Sequence, residues 1–293
     1  MEIHGALGKS RLMMVTAMAV FGTIAVFVRN IAVSSAEIAL YRAVLAMILL
    51  GGYFLVTGQK IDLHGIRKEL PLLLVSGIAM GINWILLFEA YRYTTVSVAT
   101  LSYYFATVIV TVACPILFKE KMGIKQWVCF GMSTLGIVLI TGIGDLSGSD
   151  THGLGVLFGF GAAIFYASVI LLNKFIKGVA GIQRTFLQFV AAVAILIPYV
   201  LLSGGITLGN LNATGWVNLL IVGLVHTGIT YCLYFTSLKE LPGQEAAILS
   251  YIDPLVAVAV SFFVFSEQMT LTQILGGVLV LGFTLWNEIS QNK

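Results

Sequence analysis

The chain has 293 residues, of which 59% are hydrophobic and only 10% charged, with a formal net charge of +3 at pH 7. Soluble domains average about 25% charged residues, so this composition excludes a water-soluble enzyme or binding module and makes lipid the solvent. The small net charge says little about partners, nucleic acid is not expected among them, and the charges matter through their placement instead.

Apolar runs of about 20 residues, the length that crosses a hydrocarbon layer of about 30 Å, follow one another from end to end. They predict transmembrane helices at 10–29, 36–56, 70–91, 96–118, 124–142, 153–172, 185–203, 214–238, 244–265 and 271–288. The first run has no small-residue cleavage site followed by a soluble domain, so it reads as a span and not as a signal peptide. Pro71 and Pro242 stand at helix starts, where a missing N–H costs nothing. The pairs Gly77–Gly81 and Gly155–Gly159 have the spacing of close helix contacts.

With the first terminus in the cytoplasm, 13 of the 16 Lys and Arg fall in cytoplasmic segments, from Lys9 and Arg11 to Lys239 and Lys293. This bias predicts that both termini are cytoplasmic. The three cysteines, Cys114, Cys129 and Cys232, lie inside apolar runs at unrelated spacings and form neither a disulfide framework nor a zinc motif. No phosphate-binding G-x-x-x-x-G-K-[ST] loop is present, so any work done must draw on a gradient and not on ATP. No motif asks for a cofactor or a metal.

The chain is written twice. Ala99-Thr100-Leu101-Ser102-Tyr103 leads through apolar residues to Glu120 and then to Gly131 and Gly136; Ala247-Ile248-Leu249-Ser250-Tyr251 leads to Glu267, Gly277 and Gly282. The offset drifts only from 148 to 146. A Gly/Ser/Asp linker at 143–152 separates residues 1–142 from 153–293, five spans from five. An odd number of spans per copy inverts the second relative to the first, an arrangement from which many transporters are built. The fold class predicted is therefore all-α and integral to the membrane, with ten helices in an inverted 5+5 repeat.

These features resemble the drug/metabolite transporter superfamily, in its EamA-like branch of ten-helix carriers. The resemblance rests on Arg42 within Ala36-Glu37-Ile38-Ala39-Leu40-Tyr41-Arg42-Ala43, and on A-x-L-S-Y-x-x-P followed by an acid and a G-x-x-x-x-G helix. The second copy fits as Ala247 to Pro254, Glu267, Gly277 and Gly282; the first departs, with Ala106 in the proline position. What the resemblance implies is a carrier in the cytoplasmic membrane for small organic metabolites, often amino acids, working by alternating access.

Asp253 is the sharpest polar signal, an acid near mid-span and immediately before Pro254. Intramembrane ionisable groups are costly and mark pathways or proton relays, so Asp253 reads as a proton-coupling or cation-binding carboxylate, or else as a cap on a proline kink. Arg42 reads as a contact for a substrate carboxylate or as a packing-locked clamp. Ser97, Thr100, Tyr104, Thr107 and Thr111 set hydroxyls along one helix face. Tyr103 and Tyr251 are repeat partners, and with Asn83 and Trp84 they offer aromatic walls with polar tips. Glu89 is an interfacial partner of Arg92 or an external gate. His226 is a packing histidine or a proton relay. Glu120 and Glu267 are placed to stabilise the helices that follow them.

The reading that gathers these residues is secondary-active transport of an amino acid or amino-acid-like compound, with a small-molecule substrate and the bilayer as partners. An organic-cation transporter is the alternative. An integral-membrane enzyme acting on lipid-linked substrates would need a polar catalytic cluster at one interface, and none is evident.

Overall fold

The structure, a computed structural model, describes residues 2–59, 66–118, 123–141, 150–176, 178–179, 181–241 and 249–291. Lys60, Glu120, residue 142, the 143–149 part of the linker, Pro242, Ala247, Ile248 and Lys293 fall outside these residues, as does the side chain of Thr111.

Every described element is a helix. In chain order they are α1 (Glu2–Gly22), α2 (Ile24–Val28), α3 (Ser35–Thr57), α4 (Leu70–Tyr93), α5 (Val96–Phe118), α6 (Ile124–Thr141), α7 (Asp150–Phe175) and α8 (Gly181–Leu202). A short 3-10 turn at Leu208–Asn210 follows. Next come α9 (Ala213–Leu220), a π-helical segment (Ile221–Ile229), α10 (Thr230–Glu240), α11 (Ile252–Phe263) and α12 (Leu271–Gln291). Among the described residues, six stretches are by length and composition long and apolar enough to cross a membrane: Gly8–Val28, Ser35–Thr57, Leu70–Tyr93, Thr151–Asn173, Gly181–Leu202 and Ala213–Tyr234. Shorter apolar helices lie at Val96–Val110, Trp127–Ile140, Ile252–Phe263 and Leu271–Phe283.

The bundle turns apolar side chains outward. Leu55, Val56 and Leu202 are 85%, 88% and 88% exposed, while Arg42, Ser76, Asn83, Gln188, His226 and Thr227 are buried. Such a surface is costly in water and matched to lipid.

Local chemistry sets the helix ends. At α3 the Ser34 hydroxyl accepts from the Glu37 N–H at 3.1 Å and the Glu37 carboxylate accepts from the Ser34 N–H at 3.3 Å, a reciprocal cap. The same carboxylate takes the Thr207 N–H and hydroxyl at 2.7 and 2.6 Å, anchoring the loop before the 3-10 turn. Pro71 occupies the first turn of α4, as its lack of an N–H predicts. The Glu69 carboxylate accepts from the Gly178 N–H, which fixes the link between α7 and α8.

The helices approach closely where the sequence is small. At Gly77 in α4 a Cβ would lie 2.4 Å from the Gln188 carbonyl oxygen of α8, so only glycine allows this contact. Gly155 and Gly159 of α7 lie in the same way against Thr94 and Ser102. Between these helices the Gln188 amide donates to Ser76 Oγ and Asn173 Oδ1 at 2.6 and 2.8 Å. Buried polar groups satisfied by one another fix the register of three helices.

The two A-x-L-S-Y stretches differ locally. Leu101, Ser102 and Tyr103 lie inside the continuous α5, whereas Tyr251 is a turn residue from which α11 starts afresh. Ala106 supplies the N–H that Pro254 lacks, so the first stretch stays helical and the second breaks.

Candidate functional site

At the centre of the bundle two cavities of about 240 and 100 Å³ share Phe21, Tyr103, Tyr104, Tyr166, Tyr231 and Asp253. The larger extends past Tyr234, Ser250 and Tyr251; the smaller runs on to Arg42, Trp84, Tyr91 and Thr100. The helix break sets Asp253 in the first turn of α11, with Pro254 behind it. Tyr104 donates to Asp253 Oδ2 at 2.8 Å, and its oxygen lies 3.5 Å from the Ser250 carbonyl oxygen. The other carboxylate oxygen makes no hydrogen bond among the described residues.

Arg42 enters from α3. Its Nε donates to Thr227 Oγ1 at 3.0 Å, and its guanidinium carbon stands 4.4 Å from the Trp84 ring centroid and 5.3 Å from that of Phe88. Its two Nη groups make no hydrogen bond among the described residues. No ion pair within 4.0 Å joins Arg42 to Asp253. A buried cation with open donors is costly in low dielectric, and it is therefore a ready seat for an anion. The cavity thus carries one open cationic and one open anionic group in a lining rich in aromatic side chains. Tyr103 stacks on Tyr166 with centroids 5.0 Å apart, and Phe21 meets Tyr231 edge-on at 5.2 Å.

Of the residues singled out in the sequence, Arg42, Trp84, Tyr103, Tyr104, Tyr251 and Asp253 come together at this cavity. Asn83, Glu89 and His226 do not line it. The Asn83 amide donates to the Ala162 carbonyl at 2.7 Å and ties α4 to α7. Glu89 lies 3.8 Å from Arg92 at the end of α4. The His226 Nε2 is 3.1 Å from Thr23 Oγ1, and its ring packs on Phe27.

Glu267 corrects an expectation. It does not serve the start of α12, where Thr270 and Gln273 cap each other. Ser266 takes a left-handed φ of 53°, and Glu267 reaches back across the bundle. Its carboxylate accepts from the Val96 N–H at the start of α5 at 2.9 Å, accepts from the Ser261 hydroxyl, and pairs with Arg29 at 2.5 Å. Tyr166, Tyr231 and Tyr234 line the cavity and Thr227 accepts from Arg42, yet none of the four was singled out in the sequence. Tyr231 and Tyr234, three apart on one helix, carried a usable signal, whereas Tyr166 carried none.

The comparisons with known proteins agree with this architecture. The EamA-like transporter family matches twice, at residues 9–142 and 153–287. The chain is similar to the protein named Uncharacterized transporter YxxF of Bacillus subtilis (strain 168), 31% identical over 268 residues that cover 91% of this chain and 85% of that protein. It is also similar to an uncharacterized transporter of Archaeoglobus fulgidus, 28% identical over 273 residues covering 91% of this chain and 92% of that one. A solved crystal structure shares the fold with a TM-score of 0.66 at 14% identity, over 97% of this chain and 98% of that chain. The chain therefore belongs to the EamA-like transporter family and is a multi-pass membrane protein.

Proposed function

We propose that this transporter carries a small zwitterion, an amino acid or amino-acid-like metabolite, with its carboxylate at Arg42 and its ammonium at Asp253. The observation that carries the reading is that both groups line one cavity while holding open hydrogen-bonding positions and making no ion pair with each other. In the same proposal ten helices span the cytoplasmic membrane as two inverted halves, 1–142 and 153–293, with both termini cytoplasmic. The halves rock about the cavity, and Asp253 loads and releases the proton that drives accumulation. Glycine-tight helix contacts suit such rigid-body motion, and a carboxylate held by a single tyrosine hydroxyl suits proton exchange.

The tyrosine walls favour a second reading, an organic cation held by Asp253 and by the aromatic faces. One experiment separates the two. The purified protein is screened by thermal shift against amino acids and their decarboxylated amines, and the compounds that stabilise it are tested for saturable counterflow in proteoliposomes. The zwitterion reading expects an amino acid to stabilise more than its amine and to exchange. Stabilisation by amines alone would establish the cation reading.

A further inference from the structure

The segment that carries Thr227 is not α-helical. From Ile221 to Ile229 the backbone is a π-helix of nine residues, a form that is rare and most often confined to one turn at functional sites. Side chains follow the same wider register: the Thr227 hydroxyl donates to the Val222 carbonyl at 2.8 Å and the Thr230 hydroxyl to the Val225 carbonyl at 2.7 Å, each five residues back. The single proton of Thr227 is thereby committed to Val222, and what remains at its oxygen is a lone pair. That lone pair accepts the Arg42 Nε–H. Glycine lets the two helices meet there, since a Cβ on Gly223 would lie 2.7 Å from the Leu45 Cβ.

We propose that Thr227 is a positioning residue for substrate recognition. It pins the Nε edge of Arg42, Trp84 supports the guanidinium plane, and the Nη edge is left facing the cavity as a carboxylate seat. The inference rests on the reading of Arg42 as the carboxylate contact and adds the device that sets its direction. A guanidinium fork selects carboxylates through two parallel N–H groups, so its aim matters as much as its charge. Without the Thr227 acceptor, Nε seeks a new partner and the fork turns from the cavity. Asp253 has no bond to the π-helical segment, so ammonium binding is left as it was.

The test uses full-length protein in lipid nanodiscs and two matched probes, sodium benzoate, which carries only the carboxylate, and benzylamine, which carries only the ammonium. Affinities are measured for wild type, Thr227→Val, Thr227→Ser and Arg42→Lys. The expected result is a loss of about tenfold in benzoate affinity for Thr227→Val, the scale of one charge-assisted hydrogen bond. Benzylamine affinity should stay within about twofold, and Thr227→Ser should recover benzoate binding. An equal loss for both probes would make Thr227 a packing residue and overturn the proposal. Unchanged benzoate binding in Thr227→Val, with binding lost in Arg42→Lys, would overturn it while leaving the carboxylate role of Arg42 intact. Wild type that binds no benzoate would bring down that role and this inference together.

Discussion

Arg29 and Glu267 stand 238 residues apart in sequence and 2.5 Å apart in the fold. Around them Arg29 donates from Nε and Nη2 to the Tyr91 carbonyl at 3.2 and 3.1 Å and from Nη2 to the Thr94 carbonyl at 3.0 Å. The guanidinium carbon lies 4.5 Å from the centroid of Phe265. Tyr91 also lines the smaller cavity, and this knot joins the residue after α2, the end of α4, the start of α5 and the loop after α11. Because the pair is partly exposed, at 26% and 13% of its side chains, the Coulombic part is modest and the hydrogen bonds to backbone matter more. Charge reversal at Arg29→Glu or Glu267→Arg should each cost about 1–3 kcal/mol. The double swap should recover about 1 kcal/mol of the summed loss, the size of coupling found between touching residues. Thermal unfolding of the four proteins in one detergent measures this cycle; simple additivity would show that the pair is incidental.

Gly77 and Gly131 make a matched test of packing. Alanine at 77 would push its Cβ to within 2.4 Å of the Gln188 carbonyl oxygen, whereas nothing lies within 4 Å of a Cβ at 131. Gly77→Ala should therefore destabilise by about 1–3 kcal/mol through overpacking. Gly131→Ala should be neutral or stabilise by up to about 1 kcal/mol through helix propensity. Equal melting temperatures for the two variants would contradict the α4–α8 contact.

Glu37 serves two places through its carboxylate, which accepts from the Ser34 N–H at the start of α3 and from Thr207 in the loop. Replacing it with alanine removes one cap and strands the Thr207 N–H. The expected loss is about 2–3 kcal/mol. Glu37→Gln, which keeps an acceptor for Thr207, should lose roughly half as much. Unfolding midpoints decide.

The orientation of the proposal is checked in a cysteine-free background. An impermeant thiol reagent added outside should label Ser147→Cys and spare Gln59→Cys, following the Lys/Arg bias. The opposite pattern would invert the topology.

How much was legible in the sequence follows from the kind of signal each feature leaves. Apolar length and the paired A-x-L-S-Y stretches gave the helical segments, because lipid demands long uninterrupted runs. Asp253 and Arg42 stood out because charge in an apolar run is rare, and both line the cavity. Asn83, Glu89 and His226 look equally polar in sequence, yet each has a partner elsewhere in the bundle. Which way a helix is rotated decides that, and periodicity is weak where both faces of a helix are apolar. The π-helical segment left no mark, since Ile221–Ile229 reads as an ordinary apolar stretch. Glu267 was misassigned because one left-handed residue, Ser266, turns its chain back toward α5.

The proposed proton coupling rests on one pair of side chains, Tyr104 and Asp253. Asp253→Asn keeps the shape of the side chain and an oxygen for the Tyr104 hydroxyl, but it cannot titrate. It should still exchange substrate across the membrane while losing uphill accumulation under a pH gradient. Accumulation at the wild-type level would reduce Asp253 to a cap on the break before α11.

The most direct measurement of the central claim is a binding comparison of one amino acid that stabilises the protein with its amine and its deaminated acid, on wild type, Arg42→Lys and Asp253→Asn. The zwitterion should bind wild type more tightly than either fragment, by about tenfold or more. Arg42→Lys should weaken binding of the acid and spare the amine, and Asp253→Asn should do the reverse. Binding of the amine as tight as that of the amino acid, with no response to Arg42→Lys, would contradict the claim.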